Sequence, residues 1–494
     1  MTVPTSVRPR LAAAARSVTP VRLVAGLLAL HVVLKVALLP IAVRTPLLGD
    51  EKAYSAGGQA MARALRSFFS GQGVPISDLQ EHVIGNGWFM PGMSTLLTPL
   101  YLVAPGASVP AARIYVGVLT LVLFLGAVAI VFRVVAWQLA AALAVVPALV
   151  PMWVLYSYTM WGDLSAGLVL VVVVAQLVRM WRSLAAGRAP RWRDAALLGV
   201  LLGAALYLRS STLPLVAGLL VLSAIAVLCW TRGSQRTRAL LGCGLAAAVL
   251  AVMMLPWSYT VSRTFDARVT TTTTLPLSIG YAFGNQDEMC FGPCPPGNTW
   301  YVMADFARDV AARTGENQLD VQRRMADHAL EGVTPSSYAT DVLDNVGRYV
   351  FEPTGFENAF RAKDAGGEPP RLEITDPDVV SRLDVHVTKT LYFATLVLAA
   401  ASVLLVRRTP ARIQVVTILA SLVTAALMTQ PFVHIASPRY WPVFLPMLAL
   451  MAGSLLIRRD DELSSRSLRR VHIVLAIGWV TVPVVLVGLS RLAT

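Results

Sequence analysis

Charge is scarce in this sequence. Asp, Glu, Lys and Arg make up only 14% of its 494 residues, where a soluble globular protein carries about a quarter. That shortage, beside 56% hydrophobic residues, argues against a water-soluble domain. Acids are outnumbered by bases, 28 to 42, for a net charge of +14. No aromatic-interleaved basic stripe accompanies the excess, so nucleic acid is not an expected partner. The short basic segments hold no Gly-rich phosphate loop, which argues against nucleotide chemistry there. Cysteine occurs four times, and no second Cys or His pair is spaced to complete a metal site around Cys290 and Cys294. The segment 258–388 has no repeat structure and no sustained low complexity.

Long apolar runs are what the chain has in abundance. Several exceed the length a helix needs to cross about 30 Å of hydrocarbon. About eleven spans are expected, near 21–43, 110–132, 137–157, 163–181, 195–210, 213–231, 239–256, 389–406, 413–430, 439–457 and 471–491. The first follows Arg8, Arg10 and Arg16, is longer than a signal-peptide core and precedes no small-residue cleavage site. It reads as an uncleaved membrane helix.

The connecting segments sort by charge. Arg8 to Arg22, Arg133, Arg179 to Arg193, Arg232 to Arg238, Arg407 to Arg412 and Arg458 to Arg470 fall on one side. The positive-inside rule makes that side cytoplasmic, with the N-terminus inside. The loop 44–109, the turn 157–163, the segment 258–388 and the turn 431–438 then face outward. The expected fold is an α-helical polytopic membrane protein of three parts. Residues 1–256 form a membrane region with a large first outer loop, 257–388 a small extracytoplasmic domain, and 389–494 the C-terminal membrane helices.

Within the first outer loop, Asp50-Glu51 follows the first span directly. From Ser55 to Phe69, the positions Ala56, Ala60, Ala64 and Phe68, with Met61, Leu65 and Phe69, recur at helical spacing and predict a helix lying on the membrane surface. Trp88 and Phe89 suit the interfacial belt. The outward segment predicts helices near 300–313, 317–331 and 336–350, then a Pro-, Gly- and acid-rich loop over 352–383. Cys290 and Cys294 are open to three readings: a disulfide, which an oxidising exterior favours, a free thiol pair, or half of a metal site, the weakest of them. Cys229 and Cys243, in or near apolar helices, read as inert packing residues.

Transfer of a glycosyl group from a phosphate donor needs a carboxylate to take the acceptor proton and cations to meet the leaving phosphate. Asp50 and Glu51 supply candidate carboxylates, although an acidic pair in a loop is commonly a solvated feature. Asp163 is either a third working carboxylate or the cap of the helix it begins. Arg209, Lys389 and Arg439 stand at outward helix mouths. There they either snorkel to headgroups or meet an anion, since topology alone would put such charges inside. Within the first span, Lys35 and His31 sit four apart on one face, as ligand contacts or as groups buried in the bundle.

Together these residues resemble the GT-C superfamily of polyprenyl-phosphate-sugar-dependent glycosyltransferases, specifically its protein-mannosyltransferase and aminoarabinose-transferase branch. The resemblance lies in Asp50-Glu51-x-x-Tyr54 ahead of an amphipathic helix, Trp88-Phe89-Met90-Pro91-Gly92, the run Gly203 to Arg209, Pro256-Trp257, and Arg439-Tyr440-Trp441-Pro442 continuing to Pro446. It implies Asp50 as the base that activates an acceptor hydroxyl, with Glu51 supporting it or the acceptor. It also implies Arg439 and Arg209 as holders of the donor phosphate. Lys52, Tyr54, Asp163, Lys389, His434 and Tyr440 join them as candidate substrate contacts. The chain departs from the aminoarabinose branch at Ala53, where a basic residue is usual and Lys52 is offered instead. It departs again at Met90, where that branch has a charge.

The expected activity is therefore an inverting hexosyl- or pentosyltransferase in the bacterial plasma membrane, its site facing outward. The partners are a polyprenyl-phosphate sugar, a glycan, lipid or protein acceptor, and membrane lipids. No cofactor is required by this reading; a divalent metal enters only if the fold brings Asp50 and Asp163 together. An Ala-, Val-, Leu- and Arg-rich composition suggests a high-GC bacterium, where mannose or arabinose on decaprenyl phosphate would be donors by analogy. The rival readings are a lipid or solute transporter or flippase, and an envelope glycan polymerase or ligase. Little charge lies deep in the spans and no inverted repeat shows in the hydropathy, which disfavours the transporter.

Overall fold

The computed structural model describes residues 19–47, 49–351, 387–434 and 440–457. Every regular element among them is helical. Besides helical turns of three to five residues, they are in chain order α1 (Pro20–Arg44), α2 (Asp50–Phe69), α3 (Gly92–Val103), α4 (Val109–Val134), α5 (Trp137–Val145), α6 (Pro151–Tyr156), α7 (Gly162–Ala185), α8 (Trp192–Leu208), α9 (Leu213–Trp230), α10 (Gly233–Thr264), α11 (Leu275–Phe283), α12 (Thr299–Thr314), α13 (Gln318–Ala329), α14 (Pro335–Phe351), α15 (Lys389–Leu405), α16 (Ala411–Leu427) and α17 (Trp441–Ser454).

Seven helices among the described residues are long and apolar enough to cross a membrane: α1, α4, α7, α9 with its preceding turn, α10, α15 and α16. The chain is an α-helical membrane protein. Three of the stretches expected as spans fall short among the described residues; the one near 195–210 is α8, of 17 residues. The stretch 137–157 is interrupted: Pro147 and Pro151 each lack the N–H an unbroken helix would need, and α5 and α6 result. The expected span 439–457 is the shorter helix α17, and 471–491 lies outside the described residues.

α7 and α17 form the centre of the bundle. The membrane-length window of α7 is 72% buried, against 22% for α1 and α10, so the latter two keep most of their apolar surface for lipid. α1 buries Val24, His31, Lys35, Leu38 and Ala42, a stripe at three-, four- and seven-residue intervals. In that stripe His31 Nδ1 lies 2.8 Å from the Ala148 carbonyl oxygen. Lys35 donates to Ser157 and Thr120 and lies over the Tyr158 ring. Both groups are therefore held by the α5–α7 connection, inside the bundle.

The helices share two ends. At one, Arg182 donates to the Val134 carbonyl and Gln235 to that of Leu184, so the connections after α4, α7 and α9 meet. The other end carries a helical cap, α11 to α14. Its core joins Leu277, Met289, Met303, Ala307, Val321 and Met325 to Trp88. The expected helices over 300–313, 317–331 and 336–350 appear as α12, α13 and α14. The expected loop 352–383 lies outside the described residues. α10 runs eight residues past Pro256, to Thr264. Its extension is tied to the cap by Trp257 Nε1 donating to the Thr271 carbonyl at 2.6 Å. Cys290 and Cys294 are joined as a disulfide within this cap.

Candidate active site

Asp50 and Glu51 occupy the first turn of α2, where a loop was expected. Two negative charges suit the exposed N–H groups and positive dipole end of a helix start. Gly49 precedes them with φ +47°, a conformation glycine adopts without a Cβ clash. α2 then packs along α3, burying Gly57, Gly58, Ala60 and Ala64. The apolar stripe expected to lie on the membrane divides: Ala60 and Ala64 are buried and Met61 meets Thr95 and Thr98 of α3, while Phe68 and Phe69 remain exposed at the far end.

Glu51 is fully buried. Its carboxylate accepts two bonds from Arg113, at 2.8 and 2.9 Å, and one from the Met160 N–H at 2.7 Å. Arg113 also donates to the carbonyls of Thr45, Pro46 and Tyr158. One guanidinium thus clamps the turn between α1 and α2 to the turn before α7. Glu51 lines neither cavity described below and acts as a brace for its neighbour. Sequence reasoning passed over Arg113, though a lone arginine one turn inside an apolar span was the available signal.

Asp50 lines a cavity of about 370 Å³ with Arg209, Asp163, Tyr54, His434 and Tyr440. Arg209 follows the last residue of α8 and forms an ion pair with Asp163 at the start of α7. Its Nε donates to Ser211 and its Nη2 to Gln430, each at 2.6 Å, and its guanidinium lies 4.3 Å over the Tyr440 ring. The His434 ring packs against Trp300 of α12 and against Tyr440. Four stretches of chain that the charge pattern assigned to one side therefore meet at one cavity. Arg439 lies outside the described residues. Lys389 begins α15 and lines neither cavity.

Asp163 is engaged on both oxygens. Tyr156 donates to Oδ2 at 2.7 Å while Arg209 meets Oδ1. A carboxylate so held, beside a guanidinium, does not fit a divalent metal shared with Asp50. No group of three or more metal-ligating side chains occurs among the described residues.

A second cavity of about 370 Å³ adjoins the first across Tyr54, Trp88 and Phe89. Lys52, Glu81, His82, Asn86 and Asp305 give it a polar lining, and Tyr301 of α12 closes one side. The wall over 76–84 is pinned to α2 by Arg63, which donates to both Asp78 oxygens at 2.8 and 2.7 Å. Those bonds hold the Asp78 carboxyl below the usual carboxylate range. Tyr301 reaches across to Asp50, its hydroxyl donating to Oδ1 at 3.1 Å. Neither Tyr301 nor Gln430 was a sequence candidate.

Comparison of the chain with protein-family models, with curated proteins and with solved structures finds no match.

Proposed function

We propose that the protein is a membrane glycosyltransferase that moves a sugar from a polyprenyl-phosphate donor to an acceptor hydroxyl, with Asp50 as base. The observation that carries this reading is the meeting of Asp50 and Arg209 at one cavity between a membrane bundle and its cap. A lipid-linked donor has its reactive carbon at that boundary, its chain in the bilayer and its sugar in water.

In the reaction, Asp50 takes the proton of the acceptor hydroxyl as its oxygen attacks the anomeric carbon. The bond from that carbon to the phosphate oxygen breaks, inverting the centre, and the electron pair leaves with polyprenyl phosphate. Arg209 meets the developing charge, with Arg439, the residue before Tyr440, as its proposed partner. Asp163 and Gln430 hold the Arg209 guanidinium in its plane. The site faces the exterior of a bacterial plasma membrane, on the strength of the charge sorting.

Purified protein given a radiolabelled polyprenyl-phosphate sugar should transfer or hydrolyse the sugar. Asp50→Asn should reduce that turnover by about 100-fold or more while leaving thermal stability unchanged. Undiminished turnover in Asp50→Asn would remove the base assignment. Movement of the intact donor across a vesicle membrane without bond cleavage would point to the transporter class instead.

A further inference from the structure

We propose that Tyr301, reaching from the cap into the bundle, is the positioning residue that holds the Asp50 carboxylate in its working orientation. The inference rests on the glycosyltransferase reading above. Its basis is a contact between residues 251 apart in sequence.

Three observations converge on it. The Tyr301 hydroxyl donates to Asp50 Oδ1 at 3.1 Å. The chain beside that bond is shaped to admit the phenol: a Cβ added at Gly49 would stand 2.5 Å from the Tyr301 oxygen but 3.7 Å from its ring carbon Cζ. Glycine thus vacates the space that the hydroxyl alone occupies. Finally, Asp50 belongs to the cavity with Arg209, while Tyr301 belongs to the adjoining polar cavity. The bond therefore links the linings of the two cavities and fixes the carboxylate between a donor phosphate held by Arg209 and an acceptor entering beside Tyr54 and Phe89.

Tyr301 is itself well supported. It lies in the first turn of α12, whose start is capped by the Asn298 side chain accepting from the Trp300 N–H at 3.0 Å. Met303 and Ala304 bury the adjoining face against Met289 and the disulfide-bonded Cys290. The cap thus reaches the base through this hydroxyl, and a base held by a directional bond samples fewer unproductive orientations.

The test pairs kinetics with stability in the full-length purified protein. Tyr301→Phe removes the bond and keeps the ring. It should lower kcat by about 10-fold, with the donor KM within about 2-fold of wild type and the melting temperature unchanged. Gly49→Ala should lower both kcat and stability. The double variant Gly49→Ala/Tyr301→Phe should melt above Gly49→Ala alone, because the atom that the new methyl group meets is gone. Wild-type kcat in Tyr301→Phe, with Asp50→Asn inactive, overturns the positioning role and leaves the glycosyltransferase reading standing. An active Asp50→Asn removes that reading and the positioning role with it. A double variant no more stable than Gly49→Ala overturns the packing on which the inference rests.

Discussion

Arg113 carries five N–H donors, and all five have partners: two on Glu51 and one each on the carbonyls of Thr45, Pro46 and Tyr158. Such a group, 1% exposed, is tolerated in a membrane bundle because its charge and every donor are matched. Its consequence is positional. Two of the carbonyls it holds, those of Thr45 and Pro46, belong to the turn that delivers Asp50, and its partner Glu51 is the next residue after the proposed base. Glu51→Gln keeps the shape but leaves the guanidinium without its counter-charge. We expect it to cost about 3–5 kcal/mol of stability, read as a lower melting temperature in detergent, and to depress transfer although Glu51 touches neither cavity. A variant that melts with the wild type would show the pair to be dispensable.

Between elements, the crossing of α7 and α8 determines where Arg209 stands. Gly162 begins α7, and a methyl group there would overlap the Leu208 carbonyl oxygen. The close approach brings Asp163 against Arg209, whose guanidinium lies over the Tyr440 ring. Gly162→Ala must part the two helix ends, and a displacement on the order of 1 Å at a reacting centre costs about 100-fold in rate. Steady-state kinetics should show that loss together with a weakened apparent affinity for the donor. Unchanged kinetics would mean that Arg209 is not needed where it stands. The short helices α5 and α6 belong to the same level of organisation. Their break at Pro147 and Pro151 lets the polypeptide turn within the bundle, and the buried segment so formed supplies the Ala148 carbonyl and Ser157 hydroxyl that hold His31 and Lys35.

Across the whole molecule, one end of the bundle gathers the arginine-bearing connections and the other carries the cap and both cavities. The positive-inside rule then predicts the cap outside. In a variant lacking Cys229 and Cys243, a membrane-impermeant maleimide should label Thr314→Cys in intact cells, and Ala186→Cys only after lysis. Both positions are exposed in the fold. The reverse pattern would turn the site toward the cytoplasm and remove the argument for an exterior lipid-linked donor.

Much of this was legible in one dimension. Hydropathy marked the long helices, helical spacing marked α12, α13 and α14, and charge grouped the segments that meet at the cavity. These signals are local, or sum over a segment, and need no knowledge of neighbours. Asp50 and Arg209 stood out because each is a charge beside an apolar run. Tertiary structure alone decided what each charge does. Arg113 is 62 residues from Glu51, and Gln430 is 221 from Arg209; no periodicity links such positions. The acidic pair shows the division most clearly. By residue type and position Asp50 and Glu51 are two adjacent carboxylates that only the family resemblance ranks. One helical turn sends the second into a buried guanidinium and leaves the first at the cavity, because successive residues on a helix point about 100° apart.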